Sequence, residues 1–105
     1  MNQVLLIGRI TKDIDLKYTG TQNTAKATFS IAINEKDRTN FPRIIVWGKQ
    51  AENVEKYCGK GSLVAVEGKL QTGSYEKDGQ TIYTTDVIAN HIEYLSWDKK
   101  EGDEY

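Results

Sequence analysis

KQAENVEKYCGKG, residues 49–61, is the one interval of this chain in which apolar residues recur with a helical period. Ala51, Val54 and Cys58 fall three and four positions apart, which places them on one face of an α-helix, and the residues between them are polar and tolerant of helix. Gly59 or Gly61 supplies a C-terminal stop. The spacing predicts a single short helix, and the segments on either side read as strands.

TAKATFSIAIN, residues 24–34, is the clearest of these. Ala25, Ala27, Phe29, Ile31 and Ile33 share one face, and Thr24, Lys26, Thr28, Ser30 and Asn34 share the other, so a half-buried strand with Phe29 in the core is expected. NQVLLIGRI (2–10), FPRIIVWG (41–48) and SLVAVEGKLQ (62–71) are further β-prone runs, the last broken by Gly68. Glycines inside such strands mark bulges or sharp bends, which small closed barrels require. YEKDGQTIYTTDVI (75–88) carries the hairpin signal Asp78-Gly79, and IEYLS (92–96) closes the pattern. Three strands, a helix between the third and fourth, and a final long hairpin give the order of a five-stranded oligonucleotide/oligosaccharide-binding (OB-fold) barrel, all-β with one short helix. Residues 1–96 form that domain, and 97–105 read as a short, unstructured acidic tail.

A chain of 105 residues suits one core. Apolar content of 38% argues against disorder, and 28% charged residues in mixed order argue for an ordinary soluble surface. No run approaches a membrane span and no secretory leader is visible, so the cytoplasm is the expected address. Net charge is −1, but WDKKEGDEY (97–105) alone contributes −2. Residues 1–96 hold 12 basic and 11 acidic residues, so charge by itself neither favours nor excludes a nucleic-acid partner.

PRIIVWGK (42–49) sets a large aromatic beside a glycine and a cation. Trp47 is either a core residue or a surface platform on which a base stacks, with Gly48 leaving room beside the ring and Lys49 meeting a phosphate. Phe41 precedes Pro42, which cannot donate to a β-ladder, so the pair belongs at a strand start or edge and Phe41 is expected to be exposed. Tyr75 is either a base platform or the cross-strand partner of Tyr83. Tyr57 and Tyr94 read as half-buried packing residues, and Lys26, Lys60, Lys69 and Lys77 as solvated surface. With one His (His91) and one Cys (Cys58, on the apolar helical face), no nucleophile, base and orienting group can be assembled and no metal cluster is indicated. Asp13, Asp15, Glu67 and Asp86 are scattered. Neither catalysis nor a cofactor is expected.

In the same order, NQVLLIGRITKDIDLKYT, ATFSIAIN, RIIVWGKQAENVEKYCGKGSLVAVEGKLQT and SYEKDGQTIYTTDVIA resemble segments of the bacterial and phage single-stranded DNA-binding protein family, over roughly residues 2–95. The resemblance implies a homotetramer of barrels that coats single-stranded DNA with little sequence preference. It places Trp47, Phe41 and Tyr75 on base-stacking positions and Arg43, Lys49, Lys17 and Arg9 on phosphate-tracking ones.

Three departures stand out. EKDRTN (35–40) is short where many relatives carry a longer hairpin with another aromatic, Gly73 and Ser74 stand where arginines are common, and the nine-residue tail lacks the long linker and apolar tip that recruit replication and repair partners. Recruitment through this tail is not expected. Because fold does not fix function, a protein-protein adaptor of a replication complex with weak nucleic-acid binding is the alternative, and an RNA-binding variant a weaker one.

Overall fold

The computed structural model describes residues 1–96, and the tail expected at 97–105 lies outside them. Seven strands and one helix follow in the order β1 (Val4–Ile10), β2 (Asp15–Thr19), β3 (Thr24–Asn34), β4 (Thr39–Asn40), β5 (Arg43–Trp47), α1 (Lys49–Tyr57), β6 (Leu63–Lys77) and β7 (Gln80–Tyr94). Neighbouring strands run β1-β6-β7-β5-β3-β2, and a second pairing of β1 with β3 joins the path into a ring of five strands: β1, β6, β7, β5 and β3. All pairings in the ring are antiparallel except β5 with β7.

The alternation expected of β3 holds. Ala25, Ala27, Phe29 and Ile31 are buried, and they meet Ile10, Ile44, Val46, Val64, Val66 and Val87 from the other ring strands in one core. The helix adds Ala51, Val54 and its C-cap Cys58 to this core and connects β5 to β6 along the chain, where its spacing predicts it.

Glycine marks the points where the ring bends. At Glu67/Gly68 the register between β6 and β7 shifts, and a Cβ at position 68 would stand 2.1 Å from the Ile88 carbonyl oxygen. Only glycine lets the two backbones approach this closely. Gly68 therefore bends β6 without breaking it. The strand continues to Lys77, and β6 and β7 leave the ring as a largely exposed two-stranded arm. Asp78 (φ 53°) and Gly79 (φ 78°) close the arm with the two positive φ values of a type I′ turn.

Several expectations require correction. Two strands, β2 and the two-residue β4, are not evident in the sequence: both lean on the edges of β3, and β2 buries little more than Leu16, so its alternation is faint. IEYLS is not a strand of its own but the end of β7. The helix stops without a glycine, since Cys58 already turns extended while its N–H still bonds the Val54 carbonyl. Tyr94 is half-buried as expected, but Tyr57 is exposed, its ring 6.3 Å from that of Tyr94.

Candidate nucleic-acid interface

Residues paired across neighbouring strands point to the same side of a sheet. The ladder therefore shows which side chains share the outer face. On β3, Ala27 and Phe29 point inward, so Lys26, Thr28 and Ser30 point outward, and their β5 partners Trp47, Ile45 and Arg43 point outward with them. On β2, Lys17 opposite Lys26 and Asp15 opposite Thr28 extend the face. On the other flank Ile45 pairs with Ile88, which brings in the β7 residues Asp86 and Thr84 and their β6 partners Gln71 and Gly73. Further out along the arm, Tyr75 opposite Ile82 lies on this same side.

One continuous outer face of β2, β3, β5, β7 and β6 thus carries Trp47, Arg43, Lys17 and Tyr75. Trp47 is 43% exposed, so it is not a core residue. Gly48 follows it with φ 75°, and a Cβ there would meet nothing within 4 Å beyond its two chain neighbours. The positive φ that starts the helix is reason enough for a glycine here. Lys49 opens the helix beside it. Tyr75 and Tyr83 are not partners: Tyr75 faces Ile82 and Tyr83 faces Ser74, so the two rings lie on opposite faces of the arm.

Phe41 is exposed at the far end of β5 from Trp47, just before Pro42, whose carbonyl accepts a bond from the Ile31 N–H. Arg9 is not brought to Trp47. It pairs with Ala32, six positions along β3 from the partner of Trp47, or about 20 Å at ~3.3 Å per residue.

Each of the four cations has an intramolecular acceptor. Arg43 Nε stands 3.5 Å from Asp86 Oδ1, Lys49 Nζ 3.8 Å from Glu52 and Lys17 Nζ 3.7 Å from Asp15, and Arg9 Nη1 donates to the Gly61 carbonyl at 2.9 Å. Glu52 also accepts a 3.0 Å bond from the Tyr18 hydroxyl, which with the nearby carboxylate raises the phenol above its ordinary pKa.

Two contributors escape a reading of the sequence. Lys26 reads as plain surface, yet its ammonium sits 5.3 Å from the centre of the Trp47 ring. The available signal is its place on the polar face of β3. Asp86 looks like one of several scattered acids because its neighbour Arg43 is brought to it only by the parallel pairing of β5 with β7.

A five-membered ring of strands with a helix inserted before its last two strands, and an outer face that carries exposed aromatics and cations, defines a protein of the OB-fold class. Within that class the chain belongs to the single-strand binding protein family, whose profile matches residues 1–95. It is 44% identical over 109 residues to the single-stranded DNA-binding protein of Clostridium tetani, an alignment covering 97% of this chain and 75% of that protein. Single-stranded DNA-binding protein 3 of Clostridium acetobutylicum is 43% identical over 104 residues, covering 92% of this chain and 72% of its own length. The single-stranded DNA-binding protein of Bacillus cereus is 45% identical over 103 residues, or 90% of this chain and 60% of that protein.

Proposed function

We propose that the outer face built on β3 and β5 binds single-stranded DNA with little sequence preference and protects it during replication, recombination or repair. The observation that carries the reading is Trp47, a large aromatic held outside the core beside Lys26, with Lys17 next in the same row. A base stacked on an aromatic gains about 1–3 kcal/mol whichever base it is, and nearby ammonium and guanidinium groups follow the phosphates. Tyr75 extends the platform along the arm and Phe41 extends it past the start of β5, while Arg43, Lys49 and Lys17 supply phosphate contacts. Arg9, at the far end of β3, serves a strand long enough to pass there.

A second part of the proposal is assembly into a homotetramer. Leu5 and Ile7 point outward from β1 and remain 70% and 58% exposed, and an apolar groove runs between them, Ala65 and His91. Glu67 and Glu93 border this groove beside His91, so its apolar floor has a polar rim of the kind a self-complementary interface uses. Single barrels cover roughly 4–16 nucleotides, and linked copies convert later contacts into intramolecular ones. No helix among the described residues is long and apolar enough to cross a membrane.

Titration with oligo-dT, oligo-rU and duplex DNA of equal length tests the reading. Binding of oligo-dT well above duplex is the expected result. Equal, weak binding to all three would favour the adaptor reading, and preference for oligo-rU would favour an RNA-binding role.

A further inference from the structure

The outer face contains one feature that works against an anion. Across four strands, Gln71, Asp86, Arg43 and Ser30 form a row: Gln71 pairs with Asp86, Arg43 pairs with Ser30, and the parallel register of Ile44 with Val87 sets Arg43 beside Asp86. The Arg43 side chain is 55% exposed but that of Asp86 only 18%. The three pairs involving carboxylates on or beside this face therefore differ in kind. Asp15 and Glu52 are more open to solvent and can swing away from Lys17 and Lys49 at little cost. Asp86 is largely enclosed beside Arg43 Nε, so it has less room to turn its charge away from the face.

We propose that Asp86 is a fixed competitor for the phosphate at Arg43, one that lowers the affinity for single-stranded DNA and flattens its salt dependence. The inference rests on the proposed binding role of this face. Because the carboxylate engages Nε, the terminal Nη groups of Arg43 remain available to a phosphate. The phosphate that takes them comes within a few ångströms of the Asp86 charge. The pair is close to neutral before DNA arrives, so Arg43 displaces less of the counterion atmosphere than a free arginine would. Strands bound this way are released more readily, a useful property in a protein that must give up its DNA.

The test is binding of a labelled oligo-dT over a series of salt concentrations for wild type, Asp86→Asn, Asp86→Ser, Arg43→Ala and Trp47→Ala, with each variant checked for cooperative unfolding. Asparagine keeps the shape and an acceptor for Arg43 Nε while removing the charge, and serine repeats the charge removal in a smaller side chain. The expected result is roughly three- to tenfold tighter binding at low salt for Asp86→Asn. Its plot of log affinity against log salt should steepen by about one. A residue that only oriented Arg43 could not produce that steeper slope. Affinity and slope at or below wild type in both Asp86 variants, with Arg43→Ala and Trp47→Ala weakened, overturn the role of Asp86 alone. Wild-type binding in Arg43→Ala and Trp47→Ala overturns the reading of the face, and the role of Asp86 with it.

Discussion

Lys26 Nζ stands 5.3 Å from the centre of the Trp47 ring, and the two residues are direct partners across β3 and β5. A cation over an exposed aromatic is worth about 0.5–1 kcal/mol. That contact biases the indole toward β3, so the ring is held in place before a base arrives. It also sets an ammonium beside the ring, within reach of a phosphate on the same strand.

Trp47→Ala tests whether the ring works outside the core. The substitution should cost about 1–3 kcal/mol of oligo-dT binding, the value of one stacked base, while urea unfolding stays cooperative with a similar midpoint. Phe29→Ala is the contrast: Phe29 is 5% exposed among Ile31, Ile44 and Val46, and its loss should cost ~3–5 kcal/mol of stability. A Trp47 variant that unfolds as Phe29→Ala does would return Trp47 to the core.

The elements legible in the sequence are those with a strong period. β3 shows itself in five alternating apolar residues and α1 in Ala51, Val54 and Cys58, nearly all of which the core then absorbs. β2 is hidden because a short edge strand with one half-buried leucine leaves almost no alternation to read. At the candidate site, the exposure of Phe41 follows from Pro42, a local rule. The contact of Lys26 with Trp47 and that of Arg43 with Asp86 depend on which strand lies beside which, and no local pattern encodes a register between residues 21 or 43 positions apart.

The glycines should separate by mechanism. Gly68→Ala forces a methyl group against the Ile88 carbonyl in a bulge with no flexible neighbour to yield, and should destabilise by ~1–3 kcal/mol or more. Gly48→Ala meets no atom beyond its chain neighbours and suffers from φ 75°, at about 1–2 kcal/mol. Thermal melts of the two variants check this, and a melting temperature for Gly68→Ala at or above that of Gly48→Ala would contradict the packing account.

Assembly should depend on β1. Replacing Leu5 and Ile7 together with Glu adds two charges to a face that already carries Glu67 and Glu93, and like charges brought together in an interface oppose association. Light scattering should show the tetramer shifting to smaller species while circular dichroism is unchanged. A wild-type chain with monomer mass at micromolar concentration would remove the tetramer from the proposal.

A chain ending at Ser96 should fold and bind single-stranded DNA as well as or slightly better than the full chain. Residues 97–105 carry a net charge of −2, and negative charge near a phosphate-binding face competes with DNA. Anisotropy titrations of both chains at low salt make the comparison, and a large loss of affinity on truncation would assign the tail a part in binding.

The cations should sort by position along β3. Each phosphate contact removed by mutation takes its released counterion with it, so the slope of log affinity against log salt should become shallower by about one for Lys49 and by less for Arg43, whose charge Asp86 already offsets. Arg43 and Lys49 lie at the two ends of β5, one beside Ser30 and the other just past Trp47, so a short strand stacked on Trp47 can reach both. Arg43→Ala and Lys49→Ala should each weaken binding of a short oligo-dT at every salt concentration and flatten the slope. Arg9 pairs with Ala32, about 20 Å along the strand, and its guanidinium is tied to the Gly61 carbonyl. Arg9→Ala should therefore leave short oligonucleotides almost unaffected and weaken only those long enough to pass the end of β3. Equal losses of affinity for all three variants on the shortest oligonucleotide that binds would mean that the strand does not follow β5, and the path across this face would have to be redrawn.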